Sequence, residues 1–336
     1  MNSLERVQRR LRGETVDRVP NFNIFMTFAA HFIGQPLRRY YLDYRTLVEA
    51  SLAVRDAFEL DIVQAISDPY REACDLGAAI DFPEDGLPVC RIPLLAEGVD
   101  LGRIKWVDPG AGRRMSDRLD AVRLFKERVG DQAPVMGWVE GAFAEAADLR
   151  GAGALLEDLA EAPAWLDELL ELCAQVEIGF ARAQVAAGAD MIGLGDALAS
   201  QISPRMYRRF ALPYEQRIFG AVHEMGALTR LHICGNTTHI LADMVLSGAD
   251  IIDVDWMVDL GAAAAAFNGH AAVCGNIDPV AVMLRGDPAD VTAAVQANLA
   301  QGGPRYISAA GCEIPDGTAP ANLLAHTRVL KIRPQL

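Results

Sequence analysis

The chain alternates short apolar runs with longer amphipathic segments, and the short runs mostly end in Gly, Asp or Asn. Runs of this length predict strands, whereas the longer periodic segments predict helices. Strands that alternate with helices form parallel sheets. Eight such units predict a closed (β/α)8 TIM barrel, with an open doubly wound sheet as the alternative. The predicted strands are residues 19–26, 61–66, 133–140, 189–195, 228–234, 249–255, 271–276 and 305–311.

One region departs from this alternation. Residues 67–115 are rich in Pro, Gly and Asp, which predicts an elaborated loop or small hairpin inserted after the second strand. Helices are predicted near 44–58, over 165–188 and over 261–267. Since no Pro/Gly-rich or charged linker divides the chain, we expect a single domain over residues 1–336.

Composition narrows the class of partner and the compartment. A formal net charge of −14 argues against nucleic acid or an anionic membrane as the partner. The basic N-terminus is not followed by the apolar stretch of a signal peptide, and no run approaches the ~18 apolar residues of a membrane span. We therefore expect a cytoplasmic protein. In that compartment six cysteines favour metal binding, catalysis or burial over disulfides.

A histidine and a cysteine end the fifth predicted strand in the segment "LHICGN". Because residues i and i+2 of a strand face the same side, His232 and Cys234 point together. Imidazole and thiolate are ligand types of zinc. Cys274 and Cys312 end other predicted strands, and strand ends converge on the C-terminal face of a barrel. A packed histidine beside a buried thiol is the alternative interpretation.

Four segments carry a resemblance to a known family: "LERVQRRLRGETVDRVP", "HICGNTTHIL", "CGNIDPV" and "SAAGCEIPDGTAPANL". They resemble the uroporphyrinogen decarboxylase superfamily from about residue 4 to 330. More narrowly, they are similar to its cobalamin-dependent methyltransferase branch, which includes methylcobalamin:coenzyme M methyltransferases and corrinoid-linked O-demethylases.

The resemblance implies a (β/α)8 barrel whose zinc is held by an H-x-C…C set, here His232, Cys234 and Cys312. It further implies that a methyl group moves between a corrinoid and a small thiol or methoxylated substrate. The chain shows no D-x-H-x-x-G pattern, so we expect cobalamin to arrive on a partner corrinoid protein or to bind transiently. Cys274 stands where that family usually has an apolar residue and is interpreted as a buried thiol.

Other polar residues lie at predicted strand ends. Glu140 is a candidate catalytic group that handles a proton or serves as a displaceable zinc ligand, and Asp196 is a candidate for orienting substrate or a ligand. An ordinary charge on the barrel rim is the alternative for both. Asn236 and Asn276 follow the two Cys-Gly pairs, where they are candidates for cofactor contact or for turn formation. Asp278, before Pro279, is predicted to cap a helix.

The alternative function is uroporphyrinogen decarboxylation. Members with that activity carry an arginine-rich segment resembling "RQAGRY" after the first strand, but this chain reads "NFNIFMTFAAHFIGQPLRRYY" there, with Arg38 and Arg39 further along. A substrate rich in carboxylates therefore has no obvious counter-charge. The aromatic-rich segment around His31 predicts a lid or pocket wall. Coenzyme M, other thiols and methoxylated aromatics all remain open as substrates.

Overall fold

The structure is a computed structural model that describes residues 1–331. Residues 332–336 of the predicted domain lie outside the described part.

A curled parallel sheet of seven strands forms the centre of the molecule. The strands in chain order are β1 (Val63–Gln64), β2 (Ile80–Asp81), β3 (Val89–Cys90), β4 (Val135–Glu140), β5 (Met191–Gly195), β6 (Leu228–His232), β7 (Ile251–Val254), β8 (Ala272–Ile277) and β9 (Ile307–Ala310). The sheet runs in the order β1-β4-β5-β6-β7-β8-β9, and β2 and β3 pair separately as an antiparallel hairpin. The α/β barrel architecture predicted from the alternation is thereby confirmed.

The first predicted strand closes the ring without forming a regular ladder. Asn21 makes an isolated parallel bridge to Ser308 of β9. The Phe22 amide donates to the Ser308 carbonyl at 2.9 Å, and the Asp61 amide donates to the Asn21 carbonyl at 3.0 Å. The segment therefore lies between β9 and the start of β1. Pro20 has no N–H for a ladder, and this limits the regular pairing.

Alternate residues of the strands fill the barrel interior, as strand periodicity requires. The buried interior cluster includes Phe22, Ile66, Met136, Trp138, Met191, Ile251, Cys274 and Ile307. Gly193 leaves room for the large ring of Trp138, since a Cβ there would lie 2.3 Å from that ring. Above this apolar layer, towards the carboxyl ends of the strands, the inward positions are polar.

Helices surround the sheet, and the three predicted helices are confirmed as α4, α9 and α13. The helices are α1 (Ser3–Leu11), α2 (Thr27–Phe32), α3 (Leu37–Leu42), α4 (Tyr44–Phe58), α5 (Arg71–Asp75), α6 (Arg113–Val129), α7 (Ala142–Arg150), α8 (Ala152–Glu161), α9 (Ala164–Ala187), α10 (Pro204–Phe210), α11 (Leu212–His223), α12 (Leu241–Met244), α13 (Leu260–Phe267), α14 (Pro288–Gln301) and α15 (Pro320–Leu330). Their apolar faces are buried against the sheet in one continuous outer core.

An elaborated segment with a small hairpin follows the second predicted strand, as expected, but the last three residues of the predicted range 67–115 belong to α6. It contains α5, the β2–β3 hairpin and a short 3-10 turn at Leu101–Arg103, and it ends where α6 begins. It contacts the loop region after the first strand, because the Arg38 side chain donates to the Phe82 carbonyl at 2.6 Å. The insertion thus belongs to the C-terminal end of the barrel.

The basic N-terminus has a structural role. Arg6 and Arg18 each donate to the fully buried carboxylate of Asp61 at 2.6 Å. Arg10 donates to the carbonyl of Tyr306 at 2.8 Å. These contacts tie α1 to the start of β1 and to the start of β9. Within residues 1–331, no helix combines the length and apolar character that crossing a bilayer requires.

Candidate metal centre

Three residues from two distant parts of the chain meet at the C-terminal end of the barrel. His232 ends β6, Cys234 follows two residues later, and Cys312 lies two residues beyond the end of β9. His232 Nε2 lies 3.0 Å from Cys234 Sγ and 3.8 Å from Cys312 Sγ, and the two sulfurs are 3.7 Å apart. The structure therefore brings together the three residues that the sequence assigns to a metal.

The spacing of these atoms is close to that of ligands around one tetrahedral ion. Bond lengths of about 2.3 Å to sulfur and about 2.0 Å to nitrogen place two sulfurs about 3.8 Å apart and a sulfur and a nitrogen about 3.5 Å apart. The sulfur–sulfur separation of 3.7 Å lies near the first value, and the His232–Cys312 separation of 3.8 Å and the His232–Cys234 separation of 3.0 Å lie on either side of the second. Two thiolates and one imidazole also form a donor set that zinc prefers. The set could hold a zinc ion with one coordination position left for another group.

The ring of His232 is held from behind by Asp253 of β7. His232 Nδ1 lies 2.7 Å from Asp253 Oδ2, and Arg230 Nε donates to both oxygens of Asp253 at 2.9 and 3.0 Å. Burial acts to raise the pKa of Asp253, but Arg230 and His232 outweigh it and lower the pKa to about 2. Asp253 is therefore a carboxylate that fixes the ring and leaves Nε2 free for a metal.

Without a metal, the three side chains share protons. Hydrogen bonds from Cys234 and from His232 lower the pKa of Cys312 to about 4, although burial acts to raise it. The same contact with Cys312, together with burial, raises the pKa of Cys234. Burial acts to lower the pKa of His232, but Cys234 and Asp253 outweigh it and raise the pKa. A metal ion has to displace these protons, so metal affinity increases with pH.

Glycines allow the ligand loops to approach each other. Gly235 follows Cys234 with φ +91°, in the left-handed region, and its amide donates to Asp255 Oδ2 at 2.8 Å. Gly311 precedes Cys312, and a Cβ there would lie 2.4 Å from Asp255 Oδ1. Asp255 thus joins the loops that carry the two cysteines.

A cavity of about 170 Å³ opens beside the three ligands. It is smaller than the 300 Å³ or so at the lower end of drug-sized sites. Larger grooves lie on the outer helices near Tyr44 and beneath the barrel near Leu4, but neither contains a histidine or a cysteine. The cavity is lined by Ile24, Met26, Ile66, Asp68, Pro69, Arg71, Trp138, Glu140, Gly195, Ala197, His232, Cys234, Cys312 and Glu313.

Glu140, a predicted site residue, lines this cavity beside a buried arginine. Glu140 Oε1 accepts hydrogen bonds from Arg71 Nη2 at 2.6 Å and from Trp138 Nε1 at 3.3 Å. Burial raises the pKa of Glu140 to about 8, with Arg71 opposing and the nearby Glu72 reinforcing the shift. A carboxyl with this pKa can exchange a proton near neutral pH.

Glu313, next to the ligand Cys312, also faces the cavity. Its Oε1 accepts hydrogen bonds from the amide and the hydroxyl of Thr27, at 2.7 and 2.8 Å. Burial raises the pKa of Glu313, and the nearby charge of Cys312 adds to the shift. Glu313 is therefore a second carboxyl at the same opening.

Asp196 lies behind the cavity and does not line it. Its side chain is fully buried. It packs so closely on Gly141 that a Cβ there would lie 2.4 Å from its Cγ. Burial, with the neighbouring carboxyl of Glu215, raises the pKa of Asp196 well above its usual value. The side chain of Asp196 points away from the cavity. Its predicted role in orienting the substrate therefore stays a prediction.

The two predicted asparagines have different local roles: Asn236 takes part in a turn, as predicted, whereas the turn predicted at Asn276 is wrong, because β8 continues through Ile277 in its pairing with β9. The side chain of Asn236 accepts from the Thr238 amide at 3.1 Å, and that of Asn276 donates to the Val258 carbonyl at 2.6 Å. Neither residue lines the cavity, so their proposed contact with a cofactor stays a prediction. The predicted cap is confirmed, because Asp278 accepts from the amides of Val280 and Ala281 at 2.8 Å.

The remaining cysteines lie outside the ligand set. Cys274 is fully buried one layer below His232, where Arg230 Nη2 lies 3.8 Å from its sulfur. Burial raises the pKa of Cys274 well above its usual value, so it remains a thiol. This placement agrees with its interpretation as a buried thiol. Cys74, Cys90 and Cys173 are also unpaired, as expected without a disulfide framework.

The segment around His31 only partly forms the predicted pocket wall. Met26 lines the cavity, but Phe25 and Phe28 are buried and pack on Phe58 of α4, with ring centroids 6.0 and 5.9 Å apart. Apolar packing on α4 turns these rings away from the opening. His31 instead bridges two loops at the rim, as its ring nitrogens lie 2.9 Å from Asp85 and from Asp316.

Two residues of the site, Asp253 and Arg71, were missed by sequence reasoning. Asp253 carried a usable signal, since the run "IIDVD" places Asp at alternate positions ending a strand. The position of Glu313 beside Cys312 makes it a possible functional residue on sequence grounds alone, but the sequence carries no further signal for it. Arg71 lies in the irregular insertion, where no periodicity indicates direction. Arg38 and Arg39 are exposed and do not line the cavity. Among the described residues that line it, the arginine is Arg71.

Comparisons with known proteins agree with this architecture. The family model described as "Uroporphyrinogen decarboxylase (URO-D)" matches residues 2–331. The "Methylcobamide:CoM methyltransferase MtbA" of Methanosarcina mazei is 33% identical over 325 residues, covering 95% of this chain and 94% of that protein. The "Uroporphyrinogen decarboxylase" of Nostoc punctiforme is 31% identical over 287 residues, covering 81% and 80%.

Solved structures show the same fold. A "methyltransferase from Methanosarcina mazei" superposes with a TM-score of 0.88 at 24% identity and covers 98% of both chains. A B12-independent methionine synthase from Shewanella sp. W3-18-1 superposes with a TM-score of 0.59 at 12% identity, covering 86% of this chain and 87% of that one.

Proposed function

The chain belongs to the uroporphyrinogen decarboxylase family, and from that premise we propose that it is a zinc-dependent methyltransferase. It moves a methyl group between a corrinoid and a small thiol or methoxylated substrate. The observation that carries this proposal is the meeting of His232, Cys234 and Cys312, whose ligand atoms lie within 4.8 Å of one another beside a cavity. The relatives named as methylcobamide:CoM methyltransferases support it, since they match over nearly the whole chain.

His232 Nε2 and the sulfurs of Cys234 and Cys312 would hold the zinc ion. When bound, zinc supplies a Lewis acid that favours the thiolate form of a substrate thiol at neutral pH or polarises a methoxy oxygen. Asp253 keeps the imidazole of His232 oriented through its Nδ1. Three protein ligands are the number expected of a catalytic zinc, because the fourth position is left for the substrate.

The other cavity residues manage protons and water. Glu140, with a pKa of about 8, accepts the proton that a substrate thiol loses and returns it when the direction is reversed. Arg71 holds the Glu140 carboxyl at the cavity wall. Trp138, Met26 and Ile66 line the same space with apolar surface and exclude water from the reacting groups.

The corrinoid is proposed to reach the opening on a separate protein or to bind there transiently. Two properties support this part of the proposal. The chain lacks a D-x-H-x-x-G pattern, and the cavity of about 170 Å³ can hold a small substrate but not a corrin ring. The reactive face of the corrinoid would therefore lie across the opening, with the methyl acceptor or donor below it.

Decarboxylation of uroporphyrinogen is less compatible with this site. Relatives with that name are similar to this chain over a smaller share of its length. Arg71, the cavity arginine among the described residues, is already bound to Glu140. A tetrapyrrole rich in carboxylates would face carboxyls at Asp68, Glu140 and Glu313 beside the cation of Arg71.

The proposal is tested by methyl transfer from methylcobalamin to a panel of thiols, followed by the visible spectrum of the cobalamin. We expect zinc-loaded protein to demethylate the corrinoid and His232→Ala to lose at least about a hundredfold in rate, because one ligand of a catalytic metal is removed. Cys274→Ser, at a buried thiol outside the ligand set, is the matched control. Full activity of His232→Ala would contradict the proposal.

A further inference from the structure

We propose that Trp138 limits the size of the substrate that this cavity accepts and restricts it to a small aliphatic molecule. This inference rests on the proposed function and selects among the substrates that it leaves open, since it excludes methoxylated aromatic compounds. It depends on where the indole of Trp138 lies, on what holds it there and on the volume that remains beside the metal ligands.

The indole of Trp138 occupies space that the neighbouring strand leaves empty. Gly193 and Gly195 of β5 are paired with Trp138 and Glu140 of β4. A Cβ on Gly193 would lie 2.3 Å from Cε3 of the indole, and one on Gly195 would lie 3.1 Å from its Cζ2. Neither glycine has a positive φ, so what the two glycines provide is space. The indole therefore lies over β5 on the inside of the barrel.

Contacts on several sides hold the indole in this position. The amide and the carbonyl of Trp138 are bonded by the side chain of Gln184 of α9, at 2.9 Å each. The indole Nε1 donates to Glu140 Oε1 at 3.3 Å. The ring centroid lies 6.2 Å from that of His232, and Trp138 as a whole is only 4% exposed. The indole is thus a fixed part of the wall between the metal ligands and Glu140.

The other apolar side chains of the wall are smaller. Trp138 is the largest side chain among the described residues that line the cavity. Ile24 and Ile66 are aliphatic, and Met26 is half-buried and has an unbranched chain that adapts its shape easily. A large substrate can displace Met26, whereas the indole cannot retreat because the backbone of β5 lies behind it. Trp138 therefore sets the limit.

The volume that remains suits a small aliphatic substrate. The cavity measures about 170 Å³, and an apolar cavity of about 150 Å³ holds one benzene molecule. A substituted aromatic ring that also carries the reacting group exceeds this volume. Such a molecule could protrude through the opening, but in the proposed reaction the corrinoid lies across that opening. The reacting substrate therefore has to fit inside the cavity.

The test compares two thiols that differ in size, 2-mercaptoethanol and phenylmethanethiol. Methyl transfer from methylcobalamin to each thiol by zinc-loaded protein is followed by the visible spectrum of the cobalamin, and kcat/KM is determined. We expect the wild type to favour 2-mercaptoethanol at least about tenfold, because even one methylene too many in a closed apolar pocket costs about that factor.

The two thiols also differ in polarity, so the decisive quantity is how the ratio of their kcat/KM values changes on mutation. Trp138→Phe and Trp138→Ala remove part or all of the indole, and we expect them to reduce the ratio about threefold and about tenfold. Both variants also lose the hydrogen bond to Glu140, but this loss affects both thiols and cancels in the ratio. Trp106→Phe, at a position that is 60% exposed and outside the cavity, should leave the ratio unchanged.

Several results would overturn the inference. A wild type that methylates both thiols equally well does so by itself, even if the Trp138 variants fail to fold, and it leaves the proposed methyl transfer standing. An unchanged ratio in folded, zinc-loaded Trp138→Ala also overturns it. If the zinc-loaded wild type methylates neither thiol, the inference falls together with the thiol branch of the proposed function.

Discussion

At the scale of single residues, the account depends on which side chains prepare His232 for a metal. Asp253 is the main one, because it receives Nδ1 of the ring and is itself fixed by Arg230. A carboxylate in this position keeps the ring in one orientation and one tautomer, with Nε2 directed at the ion. The residue that orients the ligand is therefore as important to the site as the ligand itself.

Asp253→Asn should weaken zinc binding by about 10- to 100-fold, the usual cost of losing such a partner. Competition with a chromophoric chelator measures this. The control is Asp259→Asn, because Asp259 caps α13 and Asn caps a helix equally well. An affinity equal to that of the wild type would show that Asp253 does not position the ring.

Glu140 should determine the pH dependence of thiol methylation. Its pKa is raised to about 8, so the deprotonated form that accepts a proton increases as pH rises from 7 to 9. The rate should therefore rise through pH 8 in the wild type. Glu140→Gln cannot accept a proton, and we expect it to lower the rate at least about tenfold and to remove this inflection. An inflection that survives in the variant would assign it to another group.

Strand periodicity predicted part of this site without any structure. It placed His232 and Cys234 on one face, and the resemblance supplied Cys312 from another strand end. Periodicity could not predict Arg71, whose position depends on how an irregular insertion folds over the barrel. Asp196 shows what a strand end leaves open: it indicates the right edge of the barrel but not the direction of the side chain, which here packs on Gly141 away from the opening.

At the scale of elements, one of the contacts between the insertion and the barrel rim is made by a histidine. His31 of α2 contacts Asp85, in the β2–β3 hairpin, and Asp316, in the loop after β9, each at 2.9 Å. Hydrogen bonds to Asp85 and to Asp316 raise the pKa of His31, although burial acts to lower it. The protonated ring therefore joins two loops of like charge.

His31→Ala should make the hairpin more accessible to protease, and the effect should be larger at pH 6 than at pH 9. The sign follows from linkage: a histidine with a raised pKa in the fold stabilises fully below its unfolded pKa, and that contribution is lost as pH rises through the folded pKa. Timed limited proteolysis of wild type and variant at both pH values measures it. An equal effect at both would show that charge is not involved.

The elements themselves were predicted unequally well. The apolar runs of β4 to β9 are buried on both faces, which makes them easy to recognise. Residues 19–26 were predicted as a strand and occupy the position of the first strand. However, the side-chain oxygen of Asn23 accepts a hydrogen bond from the Ala310 amide at 2.7 Å. A side chain thus replaces a backbone group in the closure of the barrel, and apolar patterning does not reveal such a replacement.

At the scale of the whole molecule, several carboxyls are buried with few cations. Burial raises the pKa of Glu145 and of Glu177 well above the usual value, and nearby Glu72 adds to both shifts. Acids whose pKa is raised by folding bind protons in the folded state that the unfolded chain has released. Stability contributed by the protonated form is therefore lost as pH rises above the usual range of a free glutamic acid.

Glu177→Gln should accordingly raise the melting temperature by a few degrees at pH 8.5 and by less at pH 5, because a neutral amide avoids the cost of a buried charge. Thermal unfolding followed by circular dichroism at the two pH values measures the difference. Glu157→Gln, on the exposed side of α8, is the control. A destabilisation by Glu177→Gln that is greater at pH 8.5 would mean that this carboxyl is ionised and paired in the fold.

The central claim is that three side chains, from two strand ends some eighty residues apart, hold one metal ion. Elemental analysis of the purified protein and of two matched cysteine variants tests it most directly. We predict about one zinc per chain in the wild type and in Cys274→Ser, and almost none in Cys312→Ser, because only Cys312 lies beside His232 and Cys234. Full zinc occupancy in Cys312→Ser, or equal loss of zinc in both variants, would contradict the account.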